Sequence, residues 1–234
     1  MGHDVEPAGS GPHVRVPLPA EEGLPAECVS PTDGGRAGGP GSHGKRSMAE
    51  MNPISRAFVN AFSDRRGRRR YAWVSANLLL PPGAACLEIG CGNGGMAARL
   101  VDGLRPSRYI ATDLDPRQLE AARRYLAKRY PGGMPPALAL EAGDMLRLQF
   151  PDGAFDAVFA FTSIHHASPS HHDFSKVPEA LTEIDRVLRR GGWLVYEEIV
   201  HRQKIAAWLR DHGYTVRAHR KRWTHEAVIA QKPG

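Results

Sequence analysis

The stretch Leu87-Glu88-Ile89-Gly90-Cys91-Gly92-Asn93-Gly94-Gly95 decides the fold of this chain of 234 residues. An apolar run over residues 84–89 leads into these glycines, and a helical pattern follows over residues 96–104. A strand, a glycine turn and a helix in this order let the backbone lie against a nucleoside-bearing ligand, because a Cβ atom at the turn would block the approach. The glycines fit both G-x-G-x-x-G, the dinucleotide pattern, and E-x-G-x-G-x-G. An ordinary strand-to-helix turn also fits, so this stretch alone leaves the ligand open.

Composition divides the chain into a tail and one domain. Residues 1–50 hold ten of the 25 glycines and seven of the 19 prolines, with almost no periodic apolar content, which predicts a disordered N-terminal tail. Residues 51–80 predict a helical cap of one or two helices, and residues 81–234 predict the ligand-binding domain. The net charge of +6 is concentrated after residue 50 and is too modest to establish nucleic-acid binding.

The three cysteines give no sign of a metal site or a disulfide framework. Cys28, Cys86 and Cys91 form no C-x-x-C pair, and Cys91 is interpreted as a small residue that fills the glycine turn. No apolar run approaches the ~18 residues of a membrane span, and no secretory signal is visible. These features lead us to expect a cytoplasmic protein.

A second strand over residues 108–112 ends at Asp113, which stands 23 residues after Gly90. This spacing puts the Asp113 carboxylate at the end of the neighbouring strand, where a ribose diol can donate two hydrogen bonds. Capping of the next helix is the alternative role for Asp113, but Asp115-Pro116 fits the cap and first position of that helix better.

The remaining pattern alternates strands with helices. Residues 137–141 predict a third strand, residues within 150–161 a buried fourth strand, and residues 193–199 a fifth. A helix is expected over residues 176–188 and is stopped by Gly191-Gly192. Another helix is expected over residues 202–212. Alternation over residues 214–221 and 223–230 predicts a closing hairpin.

Four segments carry a family resemblance: LEIGCGNG at 87–94, GDM at 143–145, FPDGAFDAVFAF at 150–161 and RVLRRGGWLVYEE at 186–198. Together they resemble the class I S-adenosylmethionine-dependent methyltransferases, nearest to the branch that includes the ubiquinone/menaquinone biosynthesis methyltransferases. Arg190 departs from the family pattern, which usually has proline there. The resemblance implies an α/β fold: a Rossmann-like, doubly wound sheet of seven strands, mostly parallel with one antiparallel strand, and helices on both faces.

The resemblance also implies S-adenosylmethionine as the cofactor and assigns residues to it. The glycine turn and Glu88 would hold the methionine part, Asp113 the ribose, and Asp144 with Met145 the adenine. Asp144 has an alternative role, because its carboxylate can cap its own loop. The complete set that the resemblance assigns to the cofactor is Glu88, Gly90, Gly92, Asp113, Leu114, Asp144, Met145 and Thr162.

Histidines follow the fourth strand and are the candidates for catalysis. His165 and His166 emerge where the acceptor would meet the methyl group, and His171 and His172 follow on the next loop. They are interpreted as loop or substrate contacts, as a general base, or as metal ligands. Asp173 is the one further ligand type nearby, so no metal site is predicted.

The acceptor is predicted to be a small molecule with oxygen or carbon as the methylated atom. Methyltransferases that act on adenine or glutamine share an N/D-P-P-Y motif after strand four, and this chain has Thr162-Ser163-Ile164-His165 instead. The arginines at 65–70 form either a solvated helix face or a clamp for an anionic substrate lined by Tyr71 or Trp73. A nucleic-acid methyltransferase and a non-catalytic protein that binds nicotinamide or another nucleoside stay open as alternatives.

Overall fold

The structure, a computed structural model, describes residues 53–234, with side chains from Arg65 onward. The tail predicted for residues 1–50 lies outside this part of the chain. The strands and helices alternate along the sequence in the order expected of an α/β fold.

The helices are α1 (Pro53–Asn77), α2 (Gly95–Leu104), α3 (Pro116–Arg129), α4 (Val177–Val187) and α5 (Arg202–Asp211), with a 3₁₀ turn at Ile164–Ala167. The strands are β1 (Ala85–Ile89), β2 (Arg108–Asp113), β3 (Leu138–Ala142), β4 (Phe155–Phe161), β5 (Leu188–Glu198), β6 (Thr215–Lys221) and β7 (Glu226–Gln231).

The seven strands form one sheet in the order β3-β2-β1-β4-β5-β7-β6. Neighbours among β1 to β5 pair in parallel, and β7 runs antiparallel to both β5 and β6. The predicted sheet with one antiparallel strand is therefore confirmed. The strand order reverses between β1 and β4, and in sheets of this kind ligands bind outside the carboxyl ends of the strands at that point.

Apolar side chains on both faces of the sheet form two clusters of core residues. On one face, Leu87, Val158 and Leu194 pack with α4 and α5. On the other, Tyr109 and Phe159 pack with α2 and α3, and the last turns of α1 join them. The central strands are buried on both faces, which is why their sequences read as almost continuous apolar runs.

The segment predicted as one or two helices is a single helix of 25 residues, α1. Its C-terminal half packs on α2: a Cβ atom at Gly103 would overlap the Tyr71 hydroxyl. Val74 is fully buried and Leu78, just after the helix, is 3% exposed. These contacts hold α1 along one side of the sheet.

The junction of α4 and β5 differs from the prediction. The sequence places the helix end at Leu188 and the strand start at Trp193, but α4 ends at Val187 and β5 begins at Leu188. Leu188 is buried and pairs with Phe155, so it belongs to the sheet ladder. The register then shifts before Trp193, and the arginines and glycines in between form an irregular part of the strand.

Among the helices of residues 53–234, none combines the length and apolar character that crossing a bilayer requires.

Candidate functional site

The glycine turn at the end of β1 is possible only with glycine at its critical position. Gly90, Gly92 and Gly94 all have positive φ, at 70°, 55° and 74°. A Cβ atom on Gly90 would lie 2.6 Å from the Cβ atom of Ser163, which follows β4. Both the dihedral and the close approach therefore exclude larger residues at Gly90. Burial raises the pKa of the Cys91 thiol well above its ordinary value, in line with the expected role as a filler of the turn.

Asp113 is tied to the glycine turn from the end of β2. One carboxylate oxygen accepts a hydrogen bond from the Gly92 amide at 2.9 Å, and the other accepts from the Asp115 amide at 3.0 Å. Asp115 caps α3 by accepting from the Arg117 amide, and Pro116 occupies the first position, so the predicted cap is confirmed. A carboxylate offers about four acceptor sites, so Asp113 retains acceptor capacity at the edge of the sheet.

Backbone hydrogen bonds bring the ends of β1, β2 and β3 together. The Cys91 amide donates to the Thr112 carbonyl at 2.9 Å, and the Gly143 amide donates to the Asp113 carbonyl at 3.1 Å. Leu114, the next residue after β2, is 69% exposed at this edge. A large apolar side chain in that position offers a contact surface to a ligand such as a nucleoside ring.

Glu88 lies inside β1, directly before the glycine turn, and is 2% exposed. The Tyr109 hydroxyl donates a hydrogen bond to its carboxylate at 2.9 Å. Burial raises the pKa of Glu88 to about 7, and the Asp113 charge adds to this, although the Tyr109 hydrogen bond and the Arg70 charge oppose it. The structure thus places Glu88 beneath the turn, with a protonation state that changes near neutral pH.

Asp144 and Met145 follow β3. The Leu146 amide donates to one Asp144 carboxylate oxygen at 2.9 Å, which is the loop-capping geometry that the sequence left as an alternative. Met145 is partly buried and packs its side chain against the core.

The exit of β4 is strained and contains an unsatisfied hydroxyl. Thr162 has a φ of 60°, which is unfavourable for a β-branched residue, and its amide donates to the Glu197 carbonyl at 2.6 Å. Ser163 is 4% exposed, and its Oγ atom has no hydrogen-bond partner among the residues that the structure describes. Buried polar atoms are nearly always paired, so this hydroxyl beside Gly90 marks a place for a polar ligand group.

His165 is held by a buried carboxylate. It is 1% exposed, and its Nδ1 atom lies 2.6 Å from Oε2 of Glu198, which is fully buried at the end of β5. The other oxygen of Glu198 accepts from the Ile164 amide at 2.8 Å. Sequence reasoning missed Glu198, which is 33 positions from His165. Two consecutive acidic residues at the end of an apolar strand were the available signal.

His166 and His171 are exposed and lie beside His165. The ring centroid of His166 lies 4.1 Å from that of His165 and 4.7 Å from that of His171. Ring nitrogens of the three residues lie within 4.8 Å of one another, close enough to bind one metal ion. No metal site was predicted from the sequence. Because His165 is enclosed, His166 is the better placed of the two predicted catalytic histidines to reach a substrate.

Arg70, in the arginine-rich segment of α1, forms an ion pair with the sheet, and other arginines of this segment line a cavity. Nη2 of Arg70 lies 2.6 Å from Oε1 of Glu197, and its guanidinium lies 4.9 Å from the centre of the Phe161 ring. Burial raises the pKa of Glu197, but the hydrogen bond and charge of Arg70, together with the charges of His225 and Arg220, outweigh burial and the net pKa is lowered. Tyr71 and Trp73 are partly buried against the core. The guanidinium of Arg220, which lines a cavity with the neighbouring arginines, lies 4.9 Å from the centre of the Trp73 ring.

The comparisons with known proteins agree with this geometry. Residues 87–196 match the family described as methyltransferase domain. The chain is 35% identical over 128 residues to a fatty-acid O-methyltransferase of Mycolicibacterium smegmatis, over 55% of this chain and 42% of that protein. It is 34% identical over 126 residues to a probable phthiotriol/phenolphthiotriol dimycocerosates methyltransferase of Mycobacterium ulcerans, over 54% of this chain and 43% of that protein. The chain thus spans less than half the length of these relatives.

Solved structures share the fold at low sequence identity. A SAM-dependent methyltransferase from Aquifex aeolicus has a TM-score of 0.57 at 16% identity, over 69% of this chain and 88% of that one. A magnesium protoporphyrin IX methyltransferase from Synechocystis with bound SAM has a TM-score of 0.59 at 14% identity, over 78% of this chain and 85% of that one.

The sheet order, the glycine turn and the matched family define the class: this is a Rossmann-like methyltransferase domain. More particularly, the matched residues 87–196 belong to a class I S-adenosylmethionine-dependent methyltransferase domain, and S-adenosylmethionine is the cofactor of that domain. The nearer resemblance to the ubiquinone/menaquinone branch stays an expectation.

Proposed function

We propose that this protein transfers the methyl group of S-adenosylmethionine to a small-molecule acceptor, with oxygen or carbon as the methylated atom. The observation that carries the proposal is the meeting of three features at the switch point of the sheet: the glycine turn, the Asp113 carboxylate and the unpaired Ser163 hydroxyl. The name of the relative from Mycolicibacterium smegmatis, a fatty-acid O-methyltransferase, supports a small molecule and an oxygen acceptor.

The residues at the strand edge fit the parts of this cofactor. A Cβ atom at Gly92 would meet nothing within 4 Å, which leaves room for the methionine part, and Gly90 lets Ser163 approach the turn. The Asp113 carboxylate accepts hydrogen bonds from the ribose hydroxyls. Leu114 offers an apolar surface, and we propose that Asp144 and Met145 lie along the adenine. Thr162 and Ser163 face the same site from β4, so the Ser163 hydroxyl gains the partner that it otherwise lacks.

Bound S-adenosylmethionine supplies a methyl group that is already activated by the positive charge on its sulfur. The protein then contributes mainly by holding the acceptor close and aligned, which can lower the barrier by roughly 7–11 kcal/mol. A hydroxyl or acidic C–H acceptor also benefits from a base, by about 10²- to 10⁴-fold. We assign this proton-accepting role to His166, because it is exposed at the exit of β4 while His165 is buried against Glu198.

Calorimetry on the full chain tests the cofactor assignment. S-adenosylhomocysteine should bind and NAD should not. Asp113→Asn should weaken the binding of S-adenosylhomocysteine by about tenfold or more, because hydrogen bonds to a charged group contribute roughly 1.5–3 kcal/mol. Asp211→Asn, which changes an exposed carboxylate on α5, is the matched control and should leave binding unchanged. Preference for NAD would reject the proposal.

The acceptor and the base are tested by methyl transfer from labelled S-adenosylmethionine to a panel of hydroxyl- and carboxyl-bearing small molecules. With any acceptor found, His166→Ala should reduce transfer by about 10²-fold at unchanged cofactor affinity. His172→Ala, an exposed histidine of the same loop, is the control. Unchanged transfer by His166→Ala would remove the base role and leave positioning as the catalytic contribution of the site.

A further inference from the structure

A cavity of about 510 Å³ lies between α1 and the hairpin of β6 and β7. We call it the arginine cavity. Its volume is in the range of small-molecule sites. The lining residues differ from those of the cofactor edge, and six of them carry the argument: Arg65, Arg69, Arg70, Glu197, Arg220 and Arg222.

The cavity has a large excess of positive charge. Among the described residues that line it, seven are arginine or lysine and one, Glu197, carries a carboxylate. Glu197 is already engaged: Arg70 lies 2.6 Å and Arg220 lies 3.5 Å from its carboxylate oxygens. Burial lowers the pKa of His225 against the opposing charge of Glu197, and nearby arginines lower it further. Within the described lining, cationic side chains therefore outnumber carboxylates by seven to one.

Concentrating cations in a concave site is unfavourable unless an anion offsets their repulsion. Burial lowers the pKa of Arg220, and the charges of Arg222 and Arg70 lower it further, against the opposing effect of Glu197. A concave site of this kind focuses the electrostatic potential and raises the local concentration of anions. Guanidinium groups also match carboxylate and phosphate oxygens in geometry. The cavity therefore fits an anionic ligand.

The cavity adjoins the exit of β4, where the proposed methyl transfer takes place. Glu197 of the cavity pairs in register with Phe161, the last residue of β4, and its carbonyl accepts from the Thr162 amide. Arg70, also of the cavity, lies over the Phe161 ring. Glu197 and Arg70 thus connect the lining of the cavity with the last residues of β4.

We propose that the arginine cavity binds an anionic group, a carboxylate or a phosphate, of the methyl acceptor; this proposal rests on the function proposed above. The anion is the anchor and a different atom of the acceptor is methylated. Methylation of a carboxylate or phosphate oxygen removes negative charge as the reaction proceeds. Arginines that stabilise that charge favour the ground state over the transition state, so they would oppose transfer to the anion itself.

The test uses matched probes on the full chain saturated with S-adenosylhomocysteine, in buffer free of phosphate. Benzoate and phenyl phosphate supply the two anions, and benzamide is the neutral match for benzoate. We expect at least tenfold tighter binding of one or both anions than of benzamide, measured by calorimetry or by the fluorescence of Trp223, which is fully exposed at the cavity. The better anion identifies the chemistry of the anchor.

Two double variants separate a local site from a general effect of charge. Arg69→Gln with Arg222→Gln should weaken anion binding about tenfold or more and leave the affinity for S-adenosylhomocysteine unchanged. Arg123→Gln with Arg124→Gln removes the same charge from the solvent face of α3, where the side chains are 56% and 64% exposed, and should change neither affinity.

Equal affinity for benzoate and benzamide, or equal loss in both double variants, would overturn the proposal while leaving the cofactor assignment in place. Failure of the wild-type chain to bind S-adenosylhomocysteine would instead overturn the proposed function. Binding of an RNA oligomer that competes with the anions and falls steeply with salt would replace the small-molecule anchor with a nucleic-acid site.

Discussion

Replacing Glu88 with glutamine probes the electrostatics beneath the glycine turn. Burial raises the pKa of Glu88 from its ordinary value of 4.5 to about 7 in the folded chain. The folded protein therefore binds the Glu88 proton more tightly than the unfolded chain does. The stabilisation that this proton gives is complete below pH 4.5 and is lost as the pH rises through 7.

The size of the effect follows from the two pKa values. At about 1.4 kcal/mol per pKa unit, their difference corresponds to about 3 kcal/mol of stability lost by the wild type above pH 7. Glutamine stays neutral, and its amide oxygen can still accept from the Tyr109 hydroxyl. For a domain of this size, Glu88→Gln should raise Tm by about 5–10 °C at pH 8 and by only about 2 °C at pH 5.

Thermal and urea denaturation of the full chain at pH 5 and pH 8 measure this difference. Glu179→Gln is the matched control, because Glu179 is 49% exposed and paired with Lys176 on the surface of α4. The control should show no comparable pH dependence. A Glu88→Gln variant whose stability relative to wild type is the same at both pH values would refute the argument that burial governs this carboxyl group.

Two further substitutions test the geometry of the site. Gly90→Ala should lower the free energy of unfolding by about 2 kcal/mol or more and abolish S-adenosylhomocysteine binding. The added methyl group would collide with Ser163, and alanine would have to adopt the positive φ of Gly90. Gly132→Ala is the control: a Cβ atom there meets nothing within 4 Å, so the variant should be nearly neutral in urea denaturation. Glu198→Ala should lower the free energy of unfolding by roughly 1–3 kcal/mol or more in the same assay, because it removes the hydrogen-bond partner of the enclosed His165 and of the Ile164 amide. A loss below about 1 kcal/mol would show that the pair is not buried as described.

Much of the fold is visible in local patterns. The apolar run at Phe155–Phe161 is a strand buried on both faces, and Asp115 with Pro116 begins α3 as its residue types predict. The predicted boundary between α4 and β5 was wrong, because Leu188 pairs with Phe155 in the sheet although the residues that follow it are typical of a helix end. Local signals failed where a partner from another strand competes for the same residue.

The sequence by itself determined the order of strands and helices, the glycine turn and the carboxylate after β2, because each depends on residues close together in the chain. Only the tertiary structure decided that Glu198 encloses His165, that Ser163 faces Gly90 and that arginines from α1 and β6 share one cavity. The physical reason is that these contacts depend on strand order and side-chain direction. Residues 33 to more than 100 positions apart are brought together at one end of the sheet, and separation along the chain carries no information about that distance.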